Sequence, residues 1–99
     1  MDSKQFQNSV KNGIFIVDFN AHWCAPCKLQ EPVIKKVQGK FKNKVSVIFI
    51  NIDENRHLAT DFMVQSIPTL IIFNNGIEIE RFIGLQTEET ITKKLNSLL

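Results

Sequence analysis

The chain contains two cysteines, Cys24 and Cys27, which stand where an apolar run gives way to a helical pattern. A strand is therefore expected to run into a helix here, with both thiols near the start of the helix. At this spacing the thiols can close a small disulfide ring and open it again. A disulfide stabilises mainly by restricting the unfolded chain, and such a short loop restricts it little. The spacing favours a redox-active pair over a structural one.

The position of the pair also predicts which thiol attacks. A helix that begins at about Cys24 brings this sulfur close to unpaired backbone N–H groups and the positive end of the helix dipole, which stabilise a thiolate. Cys27, one turn further in, is expected to be more shielded. Pro26 suits a first helical turn, and Lys28 adds a nearby positive charge. We therefore predict that Cys24 forms a mixed disulfide with a substrate and that Cys27 resolves it.

A zinc site is the alternative for these cysteines. Such a site needs four ligands, and His22, Cys24 and Cys27 supply three of them, with His57 the only other histidine. The surrounding pattern favours redox chemistry without a metal or bound cofactor.

Length and composition limit the other possibilities. With 99 residues and 43% hydrophobic content, we expect one domain over residues 1–99. The net charge is only +2, from 12 basic and 10 acidic residues spread along the chain, which argues against nucleic acid as a partner. No apolar run approaches the roughly 18 residues of a membrane span, and the polar first residues lack a secretory signal. A cytoplasmic protein that does not bind membranes is expected, and in a reducing compartment a CxxC pair is catalytic or metal-binding more often than structural.

Strands and helices are predicted to alternate along the chain. Apolar, β-branched and aromatic runs indicate strands at residues 14–19, 45–52, 70–73 and 77–82, the first two buried and the last less covered on one face. Asn74-Asn75-Gly76 predicts a hairpin between the last two strands. Helical spacing predicts four helices, whose inward residues are Phe6 and Val10; Leu29, Val33, Ile34, Val37 and Phe41; Leu58, Phe62 and Met63; and Ile91, Leu95 and Leu98. Pro32 is expected to kink the second helix, and Thr87 to cap the fourth.

This order predicts an α/β fold. The expected sheet is mixed, with a parallel centre, a C-terminal antiparallel hairpin and helices on both faces. Ligands in such sheets bind beyond the carboxyl ends of the strands, which is where the CxxC lies. Asp18 interrupts the first strand among apolar neighbours. It is either a solvent-facing residue at a strand edge or, as we prefer, a buried functional acid, because burying a carboxyl without a role is costly.

From about Ile14 to Leu99 the chain resembles the thioredoxin family. The segments that carry the resemblance are Val17-Asp18-Phe19, Ala21-His22-Trp23-Cys24-Ala25-Pro26-Cys27-Lys28, Pro32, Asn51-Ile52-Asp53, Ser66-Ile67-Pro68-Thr69-Leu70, Phe73-Asn74-Asn75-Gly76 and Gly84. The resemblance implies the thioredoxin fold. It also implies that Cys24 is the nucleophile, that Cys27 resolves the mixed disulfide and that Asp18 exchanges a proton with Cys27. The implied substrate groove consists of Trp23, Ala25, Pro26, Ile67, the cis-proline Pro68 and Gly84.

Some of these residues also have simpler interpretations. Trp23 could serve core packing alone, although its place at a helix start favours partial exposure. Pro68 could be an ordinary trans turn proline, because only about 5–6% of X–Pro bonds are cis, so its cis form is implied by the resemblance alone. His22 could tune Cys24 if protonated, but is better explained as a solvated surface residue.

The chain departs from the family pattern at several positions. Ala25-Pro26 replaces the family's usual Gly-Pro, Asn20 stands where a tryptophan is common, and Ser66 replaces a common glycine. Phe49 stands where many members have a lysine close to the buried acid, which is expected to raise the pKa of Asp18. The family's usual first strand is expected to be missing or very short.

The resemblance implies a monomeric protein-disulfide reductase that acts on disulfide-containing client proteins and is recharged by a thioredoxin reductase. Two alternatives stay open. The protein could be a specialised oxidoreductase with one client or a shifted redox potential, for which Ala25, Asn20 and Phe49 leave room. It could also be a binding module in which the groove docks partner chains and the thiols are incidental or bind a metal.

Overall fold

Helices and strands alternate along residues 1–99, all of which are described by the computed structural model. In chain order the elements are α1 (Ser3–Ser9), β1 (Ile14–Asn20), α2 (Ala25–Lys40), β2 (Val45–Asn51), α3 (Arg56–Asp61), β3 (Thr69–Asn74), β4 (Ile77–Ile83) and α4 (Glu88–Leu98). Each predicted helix and strand is present, and Thr87 caps α4 as expected. The first element of this sequence is α1.

The four strands form one mixed sheet in the order β2-β1-β3-β4. The predicted hairpin joins β3 and β4 through Asn75 and Gly76, which both have positive φ, as a tight hairpin turn requires. The parallel pairing is confined to β1 and β2, whereas β1 and β3, at the centre, are antiparallel. The chain re-enters the sheet at the end where β1 stops, since Thr69 at the start of β3 pairs with Phe19 near the end of β1, and β3 therefore runs in the opposite direction.

Helices cover both faces of the sheet, as predicted. On one face α2 and α4 pack on a cluster that includes Ile16, Ile34, Leu70, Ile72 and Leu95. On the other face α1 and α3 pack on a cluster that includes Phe6, Phe19, Leu58, Ile71 and Phe73. None of the helices combines the length and the apolar character needed to cross a membrane.

Three details of the predicted burial are wrong. Leu29 was assigned to the inner stripe of α2 but is 62% exposed, and Gln30 takes the buried position beside it. Met63 does not face inward: it lies beyond the end of α3 with φ of 54° and is 75% exposed. The strand β2 is not buried throughout, because it is an edge strand in which only Val45 and Ile50 are fully covered.

Candidate active site

The two cysteines lie at the start of α2 and are joined in a disulfide, with Cα atoms 5.3 Å apart. Cys24 is the N-cap of the helix, and its Sγ accepts the backbone N–H of Cys27 at 3.3 Å. Pro26 is in the first turn, where its missing N–H has no intrahelical partner to lose. The helix start, its cap and the proline therefore agree with the sequence-based prediction, and the N–H of Cys27 points at the Cys24 sulfur.

The two sulfurs do not differ in burial in the way that was expected. Cys24 is 5% exposed and Cys27 is 4% exposed, so in the disulfide form neither residue is clearly more shielded. Cys24 is covered because Ile67 packs against the pair and the Cys24 Sγ lies 3.8 Å from the Ile67 carbonyl oxygen. Access to Cys24 therefore lies beside the segment that contains Ile67.

The segment that faces the disulfide contains a cis peptide bond between Ile67 and Pro68. The Pro68 carbonyl accepts the N–H of Gly84 at 2.8 Å, which fixes the residue after β4 against the cis-proline segment. Gly84 has φ of 92°, a conformation that favours glycine. Ile67, Pro68 and Gly84, which the resemblance assigns together to the groove, are therefore neighbours in the fold, and Ile67 packs against the cysteine pair.

Trp23 lies next to Cys24 and is 69% exposed, so it is not a core residue. Its indole Nε1 donates to the carboxylate of Asp53 at 2.8 Å, which orients the ring. Ala25 and Pro26 are exposed at the helix start. Of the residues that the resemblance assigns to the groove, Trp23, Ala25 and Pro26 are thus exposed beside Cys24, whereas Ile67 and Gly84 are half-buried and Pro68 is buried.

Asp18 is buried in β1 with 1% of its surface exposed, so the solvent-facing interpretation is wrong. The pKa of Asp18 is raised from 3.8 to about 7, chiefly by burial and next by the negative charge of Glu31, while the Asn20 side chain acts in the opposite direction. The Asn20 amide donates to the backbone carbonyl of Asp18, and the carboxyl atom Oδ1 has no hydrogen-bond partner. A carboxyl with a pKa of about 7 can both accept and return a proton near neutral pH.

Asp18 opens onto a small pocket of about 130 Å³ that also reaches the second cysteine. The pocket is lined by Asp18, Asn20, Ala21, His22, Cys27, Lys28, Glu31 and Phe49. Phe49 is the apolar wall at the position where the family pattern has a lysine, so no cation from β2 offsets the charge of an ionised Asp18. His22 lines this pocket and is otherwise exposed to solvent, and no His, Cys, Asp or Glu side chains cluster as a metal-binding group.

Three residues at the site were not identified from the sequence. Glu31 lies one helical turn after Cys27 on α2, so the i, i+4 spacing was a usable signal. Asp53, which orients Trp23, lies 30 residues away from it, and a turn composition does not reveal such a contact. Gln30 is fully buried three residues after Cys27, where helical periodicity alone favoured its neighbour Leu29.

Comparison with known proteins gives one consistent result. A sequence model of the Thioredoxin family matches residues 1–97. Thioredoxin from Staphylococcus haemolyticus is 36% identical over 94 residues, which cover 95% of this chain and 90% of that protein. Thioredoxin from Staphylococcus saprophyticus is 35% identical with the same coverage.

Solved structures agree with these sequence matches. A mutant thioredoxin from Halobacterium salinarum superposes with a TM-score of 0.87 at 31% identity, covering 98% of this chain and 85% of that chain. A chain from a structure on thiol resolution in a yeast mitochondrial peroxiredoxin through glutathione and thioredoxin systems gives a TM-score of 0.88 at 26% identity, covering 97% and 90%. Because the matches in sequence and in structure span nearly the whole chain, this protein belongs to the thioredoxin family and is a thioredoxin-type thiol–disulfide oxidoreductase.

Proposed function

We propose that this protein is a general protein-disulfide reductase of the cytoplasm, which works as a monomeric single domain over residues 1–99. Its electron donor is a thioredoxin reductase and its substrates are disulfide-containing client proteins. The observation that carries the proposal is the placement of a disulfide at the start of α2, where the Cys24 Sγ accepts a backbone N–H and an exposed apolar surface adjoins it.

The reduced protein begins the cycle. The Cys24 thiolate, stabilised by the N–H groups of the first helical turn, attacks one sulfur of the client disulfide. A bond forms between the Cys24 Sγ and that sulfur, and the other client sulfur leaves as a thiolate that takes up a proton. The exposed Trp23 and the segment containing Ile67, Pro68 and Gly84 hold the client chain on either side of Cys24.

Resolution of the mixed disulfide needs the second thiol as a thiolate. Asp18 takes the proton of Cys27 within their shared pocket, and its pKa of about 7 suits a group that must also give the proton back. The Cys27 thiolate then attacks the Cys24 Sγ and the second client thiol leaves. The client disulfide has gained two electrons and two protons, and Cys24 and Cys27 are left oxidised until the reductase restores them.

Reduction of insulin disulfides with dithiothreitol as electron donor tests this proposal. The wild-type protein should accelerate the reaction well above the dithiothreitol background, and Cys24→Ser should remove the acceleration. Cys27→Ser should also turn over poorly, because its mixed disulfide is not resolved internally. Wild-type activity no higher than the background would contradict a general reductase and favour a specialised oxidoreductase.

A further inference from the structure

Gln30 is a fully buried amide in the helix that carries the two cysteines. Burying an amide is costly unless its polar atoms are hydrogen-bonded. Here the Gln30 Nε2 donates to the backbone carbonyl of Gln86 at 3.1 Å, and its Oε1 accepts the backbone N–H of Gln86 at 2.7 Å. A leucine could fill a similar volume, but it would leave both backbone groups of Gln86 without these partners. The side chain therefore acts as a two-point connection between α2 and the loop that follows β4.

This loop is also tied to the cis-proline segment. The side-chain Nε2 of Gln86 donates to the Gly84 carbonyl at 3.3 Å, and the N–H of Gly84 donates to the Pro68 carbonyl at 2.8 Å. A continuous set of hydrogen bonds thus joins Gln30, three residues after Cys27, to the segment that faces the disulfide. The helix and the loop cannot shift relative to each other without breaking at least one of these bonds.

The end of β4 and the loop that follows it display exposed apolar side chains beside Gly84. Ile83 and Leu85, on either side of Gly84, are 66% and 49% exposed. A peptide bound across Cys24 would meet this surface, whereas a small disulfide reaching only the sulfur would not.

We propose that Gln30 is a positioning residue that fixes residues 84–86 against the active-site helix and thereby sets the affinity for protein disulfides, without taking part in thiol exchange. The inference rests on the proposed reductase function.

The variants Gln30→Leu and Gln30→Met test this inference. Both keep a similar side-chain volume, and both remove the two hydrogen bonds to Gln86. We expect KM for insulin to rise roughly tenfold, equivalent to about 1.4 kcal/mol and of the order of one net hydrogen bond. The kcat for insulin and the rate constant for reduction of bis(2-hydroxyethyl) disulfide should be unchanged. Val37→Ala is the matched control: Val37 is fully buried seven residues further along the same face of α2, so the variant loses stability without affecting this loop.

A second readout does not depend on catalysis. In either Gln30 variant the backbone amide hydrogen of Gln86 should exchange with solvent at least roughly tenfold faster, because its acceptor, the Gln30 Oε1, is gone. The exchange rates of the α2 amides should be unchanged. An unchanged KM for insulin would overturn the inference, whether or not the Gln86 exchange rate changes, while leaving the reductase function intact. A wild-type protein that fails to reduce insulin would instead overturn the proposed function and, with it, the role in client affinity. A rise in KM of the same size in Val37→Ala would also overturn the inference, since it would follow from lost stability alone.

Discussion

Asp18 on β1 and Glu31 on α2 line the same pocket, and the negative charge of Glu31 raises the pKa of the buried acid. The other charged or ionisable side chains that line this pocket are His22 and Lys28, since Cys27 is held in the disulfide. Glu31 also forms an exposed ion pair with Lys35, whose Nζ lies 3.9 Å from its carboxylate. The proton affinity of the proposed acid–base residue thus depends on a second carboxylate from the active-site helix.

Replacement of Glu31 by glutamine should therefore lower the pKa of Asp18, because the second cause of its elevation is removed while burial stays. Lys35→Gln should act in the opposite direction, since Glu31 would lose its partner. NMR titration of the Asp18 carboxyl carbon in the oxidised protein measures both changes. An Asp18 pKa that is the same in all three proteins would show that Glu31 has no electrostatic effect at this site.

The elevated pKa of Asp18 also makes a prediction for stability. Below its ordinary pKa of 3.8, Asp18 is protonated in both the folded and the unfolded chain. Its ionisation therefore does not lower the stability of the fold at this pH. As the pH rises from about 4 to about 7 the unfolded chain releases the proton while the fold keeps it, so stability falls, by up to about 4 kcal/mol. Above the pKa of Asp18 in the folded protein, this loss of stability no longer changes with pH.

The asparagine in Asp18→Asn cannot ionise, so this variant should not lose stability in this way as the pH rises. The difference in free energy of unfolding between the oxidised variant and the oxidised wild type should grow by up to about 4 kcal/mol between about pH 4 and about pH 8. Denaturant unfolding at a series of pH values measures it. A difference that stays constant with pH would mean that Asp18 ionises as readily in the fold as in the unfolded chain.

Gly84 and Gly39 should respond to alanine in opposite ways. Neither position has a heavy atom within 4 Å of the added Cβ, so backbone conformation decides the result. Gly84, with φ of 92°, should lose about 1–2 kcal/mol of stability, whereas Gly39, inside α2, should gain about 0.5–1 kcal/mol. Thermal or denaturant unfolding compares the two variants. Equal effects in both would show that the positive φ of Gly84 carries no strain for alanine.

The features of the site that depend on neighbouring residues could be predicted from the sequence. A strand that runs into a helix placed Cys24 at the helix start, and the run of apolar neighbours around Asp18 indicated a buried acid. The hairpin at Asn75 and Gly76 was likewise predicted, because turn chemistry involves only adjacent residues.

The sequence-based predictions fail where the position of a residue depends on contacts that are distant in sequence. Helical periodicity assigned Leu29 to the core, but the two hydrogen bonds to Gln86, 56 residues away, allow Gln30 to be buried instead. The direction of β3 depends on the end of the sheet at which the chain re-enters it, which apolar runs do not reveal. Glu31 was overlooked because a charge on a helix is usually a solvated residue, and only the fold places it beside Asp18.

The central claim is that Cys24 attacks and Cys27 resolves, and trapping of the mixed disulfide tests it most directly. The reduced variants Cys24→Ser and Cys27→Ser are each incubated with insulin. The masses of the products are then measured by intact mass spectrometry before and after treatment with dithiothreitol. The account predicts a dithiothreitol-sensitive adduct through Cys24 in Cys27→Ser and little or none in Cys24→Ser. An adduct that forms equally in both variants, or only through Cys27, would contradict the assignment.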